Sequence, residues 1–277
     1  MNEVHARNPR PTIHVEVSAR SPRGELATLT LACSRQNTSN EMKPEKLTIF
    51  IGFDPKESIA FHTLVHSITC YASQPVVIVP INLENLKSIF WRDRDPKQSN
   101  EFSITRFIVP HLMDYRGWAL FMDCDMMMRE DVFNIFHETA HEPGKAVYVV
   151  KHDYEAKEGL KYLNTVQYAY PRKNWSSFVL WDCGHPSNRK VTKDWVNEAT
   201  GLELHRFTWL ADEEIGALHV RWNWLVGDYV NPPADVANVH WTLGGPYFEG
   251  YEGVDFSHEW FQMRDKMAHC LQLRPRP

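Results

Sequence analysis

Regular hydrophobic patterning begins near residue 46. In "KLTIFIGFD" (46–54), five of the six residues 47–52 are apolar or glycine, and β-branched Thr and Ile favour a strand buried on both faces. The next run, "KESIAFHTLVHSITCYAS", sets Phe61, Leu64, Val65, Ile68 and Ala72 at helical spacing. "QPVVIVPI" (74–81) predicts a second buried strand. "SITRFIVPHLMDY" (103–115) predicts a helix with Ile104, Phe107, Ile108 and Leu112 on one face and a kink at Pro110. "GWALFMD" (117–123) predicts a third strand and "DVFNIF" (131–136) the start of a helix. "KAVYVV" (145–150) and "SSFVLWD" (176–182) predict further strands. Strands alternating with helices predict an α/β fold with a mostly parallel sheet. Such sheets bind ligands beyond the carboxyl ends of their strands. Residues 1–45, rich in Arg, Pro, Ser, Asn and Glu, read as either a disordered segment or an upstream extension. Residues 46–270 read as the domain and 271–277 as a tail.

Charge and composition narrow the chemistry. A net charge of −5 provides no basic field for nucleic acid. No apolar run approaches the roughly 20 residues that cross a bilayer, and "MNEVHARNPRPTIHVEVSARSPRG" lacks the apolar core of a secretory signal. Five scattered cysteines fit reduced thiols better than a disulfide framework. The expected location is the cytoplasm. The basic end "LRPRP" offers at most a peripheral contact with an anionic membrane.

The strongest candidate chemistry is "DCD". Asp123 stands where the strand 118–122 runs out, and alternation puts Asp123 and Asp125 on one side of an extended backbone. Two such carboxylates can converge on one hard divalent cation. A bare D-x-D is more often a polar turn closing a strand, so its surroundings decide.

Those surroundings resemble the nucleotide-sugar-binding half of GT-A glycosyltransferases, in particular glycosyltransferase family 8 and its bacterial relatives. The matching pieces are a strand ending in "IGFD", the helix "AFHTLVHSI", "FSITRFIVPHL" with Arg106 ahead of the acidic pair, and the apolar strand leading into "DCD". Downstream, "WLADEEIG" resembles that family's Asp-Gln-Asp segment, "RWNWL" its Trp-Asn segment and "VHWTLGGPYF" its closing His-x-x-Gly segment. The resemblance implies a GT-A fold and transfer of a hexose, with retention, from a nucleotide diphosphate sugar, UDP-linked by expectation. The acceptor is a glycan, a lipid-linked sugar, a protein or a small metabolite. Carried over, it implies that Gly52, Phe53 and Asp54 line the nucleotide base pocket and that Arg106 contacts the donor. Asp123 and Asp125 would hold Mn2+ or Mg2+ with His240, and Asp212 and Glu213 would lie against the transferred sugar. Lys173, Asn174, Ser176 and Gly244 complete the expected donor contacts. Two carboxylates and an imidazole suit Mn2+ better than an all-oxygen Mg2+ site.

The chain departs from the family pattern in three places. The closing segment "GGPYFEGYEG" lacks the usual Lys, which leaves Lys151 and Lys173 as candidate cations for a diphosphate. Asn174 falls one residue early, with Trp175 in the family's Asn position. Glu213 replaces a Gln, and suits a nucleophile and an electrostatic partner equally. Milder readings stand beside the sharp ones: His240 as a core histidine, Met126, Met127 and Met128 as strand packing, Cys124 as a small filler, and His152 and Asp153 as a surface turn. Two rival functions remain. One is a sugar-1-phosphate nucleotidyltransferase, which "IGFDPKES" serves poorly with one Gly and one Lys. The other is a nucleotide-sugar-binding protein without turnover.

Overall fold

In the computed structural model the structure describes residues 14–20, 26–32, 43–94, 98, 100–152, 159–160, 166–167 and 172–269. The chain divides into two compact units, Met1–Glu41 and Met42–Pro277. In the first, β1 (His14–Arg20) and β2 (Leu26–Ala32) pair antiparallel, from His14 opposite Ala32 to Arg20 opposite Leu26. The segment read as disordered or as an extension thus contains a pair of strands. Its two short runs, "HVEVSAR" and "LATLTLA", alternate at period two, and β-branched residues on such a period favour pairing. The remaining residues of that extension, the tail 271–277 and Asp153 lie outside the described residues.

The second unit runs β3 (Leu47–Gly52), α1 (Ser58–Tyr71), β4 (Val76–Ile81), α2 (Val109–Leu112), β5 (Trp118–Met122), β6 (Met126–Met128), α3 (Ile135–Thr139) and β7 (Val147–Val150). Then follow β8 (Gly159–Leu160), β9 (Val166–Gln167), β10 (Phe178–Asp182), α4 (Lys193–Glu198), α5 (Gly201–His205), β11 (Ile215–Leu218), β12 (Trp224–Leu225), β13 (Asn238–His240) and α6 (Ser257–His269). A six-stranded sheet has the order β11-β7-β10-β5-β3-β4. Its strand pairs are parallel except those made by β10, which runs antiparallel to both β5 and β7. The fold is α/β, with a mostly parallel sheet.

Two predictions shift in detail. β4 is an edge strand with several half-exposed residues, not a buried one, and an edge tolerates Pro80, which has no N–H to give. Pro110 sits in the first turn of α2 rather than kinking a longer helix, because Thr105–Ile108 form a 3-10 turn before it.

A second, three-stranded sheet, β12-β13-β6, carries its own apolar cluster of Met127, Trp224, Val239, Trp241, Trp260 and Met263. The methionines are strand packing, as expected: all three are buried. Helix α1 holds this sheet in place. The Ser67 hydroxyl donates to the Leu64 carbonyl at 2.8 Å and accepts from the Met128 amide at 3.1 Å. Asp123 and Asp125 therefore sit at the junction of two sheets. The Asp123 amide donates to the Ser177 carbonyl at 2.9 Å, and the Trp241 amide donates to the Asp125 carbonyl at 2.9 Å.

Candidate functional site

The sheet register gathers most of the expected residues at one place. Gly52, Ile81 and Met122 end their strands side by side, and Phe178 starts β10 opposite Met122. Beyond that edge, Asp123, Asp125 and His240, all buried, bring one ligand atom each to within 4.8 Å of one another. His240 arrives because β13 pairs antiparallel with β6, which sets His240 opposite Met126. Its Nε2 lies 3.2 Å from Asp125 Oδ1.

Arg106 completes the cluster. It is buried, and its guanidinium reaches Asp123 Oδ1 at 2.8 Å and donates to the Ser176 carbonyl at 3.0 Å and the Phe102 carbonyl at 3.3 Å. The Phe102 and Phe121 rings lie 5.4 and 5.1 Å beneath it. Gly52 makes this possible: a Cβ there would stand 2.3 Å from the Phe102 ring. Gly52 thus shapes the site by letting Phe102 support Arg106.

The other expected donor residues take these places. Phe53 packs edge-to-face on Phe61 at 5.3 Å. Asp54 is buried and accepts from the Lys56 amide at 3.0 Å and the Glu101 amide at 3.3 Å, so it caps a turn as well as lining the strand end. Lys173 is buried. Asn174 has a left-handed backbone, φ 63°, which Asn tolerates better than most residues, and this turns the chain into β10. The Ser176 hydroxyl is 2.7 Å from Nδ1 of His205. Gly244 has φ +143°, and a Cβ there would meet the Tyr251 ring at 2.6 Å. Trp175 lies between the Lys151 ammonium at 5.9 Å and the Arg172 guanidinium at 5.4 Å.

Asp212 and Glu213 stand outside the cluster of Asp123, Asp125 and His240. They precede β11, whose Ile215 lies in a row with Val147, Trp181 and Ala119. That row is three residues back along β5 from Met122. Both side chains are exposed; Asp212 pairs with Arg172, and the Glu213 carbonyl accepts from Lys145 Nζ at 2.8 Å. A strand directly after "DEE" carries these acids to the amino end of β11, away from the carboxyl end of β5.

Sequence reasoning missed His205, Asn223, Tyr229, Glu57 and Tyr247. Asn223 joins His240 Nδ1 at 2.9 Å to His152 Nε2 at 3.0 Å, and His152 Nδ1 is 2.7 Å from the Tyr229 hydroxyl. Tyr247 donates to buried Glu57 at 2.8 Å, and the Glu57 carboxylate faces the Cys124 sulfur at 3.8 Å. For Asn223 the available signal was "RWNWL", which resembles the family's Trp-Asn segment and places a polar residue inside an apolar run.

Burial dominates the electrostatics. It pushes the Asp123 carboxyl up to about 6, with Arg106 opposing and Asp125 adding to the rise. Burial likewise drives the Cys124 thiol well above its ordinary value, reinforced by Glu57 and both aspartates. It pulls His152 and His205 down to about 3, helped by His240 and Arg106 respectively. The unfolded chain therefore binds more protons at these histidines than the folded one between about pH 3 and 6.5. Stability from them is complete above pH 6.5 and is lost as pH falls, by about 2 kcal/mol per histidine at pH 5. Raised Asp123 works in the opposite sense between about pH 4 and 6 and offsets part of this. Urea unfolding at pH 7.5 and pH 5 should show a lower midpoint at pH 5, and His205→Gln should shrink the difference.

Strand order and the acidic pair beyond β5 define a GT-A fold. Two structures of the glycosyltransferase GlyE from Streptococcus pneumoniae TIGR4 superpose with TM-scores of 0.54 and 0.52, at 12% and 11% identity, over 80% and 79% of this chain. The chain spans 60% of the length of either GlyE structure. It is 44% identical over 230 residues to Protein CDI of Arabidopsis thaliana, covering 81% of this chain and 87% of that protein, and it belongs to the Protein CDI family. No protein-family model matches it. Among the described residues no helix is long and apolar enough to cross a membrane.

Proposed function

We propose that this protein is a metal-dependent glycosyltransferase that takes a hexose from a nucleotide diphosphate sugar, UDP-linked, and transfers it with retention to a glycan, lipid-linked or protein acceptor. The observation that carries this reading is the convergence of Asp123, Asp125 and His240 beside Arg106 at the carboxyl end of the sheet. The donor set fits a divalent cation. Two buried carboxylates crowd one imidazole nitrogen, and burial already strains one carboxylate toward its neutral form. Mn2+ suits the mixed oxygen and nitrogen ligands better than Mg2+. When bound, the ion supplies positive charge to a diphosphate leaving group.

The chain's own residues supply the rest. Arg106 fixes the orientation of Asp123 and adds a fixed positive charge beside the ligands. Gly52, Phe53 and Asp54 end β3 where a nucleotide would lie in such a sheet. Lys151, exposed beside Trp175, is the candidate for the cation that the closing segment lacks, and buried Lys173 is the second. Ser176, Asn174 and Gly244 shape the loops around the pocket.

Calorimetric titration with UDP, GDP, CDP and ADP, each with Mn2+ and with chelator, tests the reading. The expected result is metal-dependent binding of one nucleotide, UDP. A folded sample that binds none of them would overturn it. The absence of Lys from "GGPYFEGYEG", where Glu249 and Glu252 stand exposed, favours one second reading: nucleotide-sugar binding without turnover. Tight UDP-sugar binding with neither hydrolysis nor transfer across an acceptor panel would select it.

A further inference from the structure

The hydrogen bonds around Asn223 determine where the protons lie. Ser177 Oγ donates its single hydrogen to the Asn174 carbonyl at 2.7 Å. Toward its other neighbour, 2.9 Å away on Asn223, the hydroxyl can only accept. The Asn223 amide nitrogen therefore faces Ser177, and its oxygen faces His240. That oxygen carries no hydrogen, so the His240 Nδ1 at 2.9 Å from it must be the N–H. The second hydrogen of the Asn223 amide points to His152 Nε2 at 3.0 Å, which accepts it. His152 then carries its proton on Nδ1 and donates to the Tyr229 hydroxyl at 2.7 Å. The Asn223 nitrogen only donates, with a longer contact to the Asn174 carbonyl at 3.5 Å beside the two short ones, and its oxygen only accepts.

On the far side of His240, Nε2 faces Asp125 Oδ1 at 3.2 Å. With a proton held at Nδ1, Nε2 is the ring position turned to Asp125, and either a second proton or a cation can sit between that nitrogen and the carboxylate.

We propose that Asn223 is a positioning residue that locks His240 in the Nδ1–H tautomer, so that Nε2 is offered, with Asp123 and Asp125, to a divalent cation. The inference rests on the metal-dependent reading above. Its frame is rigid: Asn223 follows the 3-10 turn Val220–Trp222, and Trp222 is fully buried, stacks on Phe178 at 6.4 Å and donates to Glu138 at 2.6 Å. A hydrogen bond of this kind to a ligating imidazole sets its orientation and raises its basicity.

Two measurements test it. Histidine 15N spectra of the metal-free protein are expected to show His240 protonated on Nδ1, and His152 likewise. Calorimetry with Mn2+ alone is expected to show Asn223→Leu binding about 10- to 100-fold more weakly, and Asn223→Asp within about threefold of the unmodified protein. The carboxylate of Asn223→Asp still accepts from His240 Nδ1 but no longer donates, so His152 should move its proton to Nε2. A merely structural role would produce neither this rescue nor the His152 switch. Unchanged Mn2+ affinity in Asn223→Leu would overturn the inference, as would His240 lacking a proton on Nδ1. Should Asn223→Leu fail to fold, Asn223→Asp and the unmodified spectrum still decide. If the unmodified protein binds no Mn2+, the functional reading falls, while the spectrum judges the tautomer separately.

Discussion

Arg106→Ala is expected to lower the unfolding free energy by about 3–5 kcal/mol, the range for breaking a buried ion pair from one side. The cost is not the lost attraction alone. Asp123 would keep its burial and its neighbour Asp125 while losing the guanidinium 2.8 Å away. The Ser176 and Phe102 carbonyls would lose a donor, and the Phe102 and Phe121 rings would face a cavity. Because Arg106 opposes the rise of the Asp123 carboxyl, that group would move further above 6. Mn2+ binding, which needs the ionised carboxylate, would shift to higher pH. Urea unfolding gives the first effect, and Mn2+ titrations at several pH values give the second. A variant as stable as the unmodified protein would mean that Arg106 is not the internal partner of Asp123.

Asp125→Asn is expected to act in the opposite way on stability. Asp125 is a like charge beside Asp123 and helps to hold its carboxyl up. Replacing it with a neutral amide relieves that repulsion, so the metal-free variant should unfold at the same urea concentration or higher. Metal binding should fail, by at least about 100-fold in affinity, since a direct ligand costs more than the outer groups that orient ligands. Thermal unfolding separates the two effects. Mn2+ should raise the melting temperature of the unmodified protein and leave Asp125→Asn unmoved. A variant that still responds to Mn2+ would remove Asp125 from the ligand set. The pair of outcomes describes a site that gives up stability for function.

Much of this architecture was legible in the chain. Buried strands 47–52 and 118–122 announce themselves as continuous apolar runs, and the acidic pair follows one of them. The direction of β10 was not legible, because "FVLWD" is buried along nearly its whole length and reads the same for either orientation. Register explains the fate of the acids at 212 and 213. Their composition matches a motif, and the strand that follows them at once sets them just before the amino end of β11, outside the aspartate cluster. Asn223 was legible only as part of a Trp-Asn segment, and its role was not: that lies in which way an amide faces, among partners 17 to 71 residues distant. The hairpin at 14–32 was overlooked because two short alternating runs were averaged into a polar region.

The site spans a seam. Asp123 belongs to the end of the large sheet, whereas Asp125 and His240 belong to the small one, and only Cys124 lies between the two aspartates. The small sheet is built from strands of two or three residues over a separate apolar cluster. Every residue of those strands is buried, so the sheet does not have the marks of a segment that opens alone. A cation held by Asp123 on one side and by Asp125 and His240 on the other would tie the two sheets to each other, and its binding would raise the unfolding free energy of both at once.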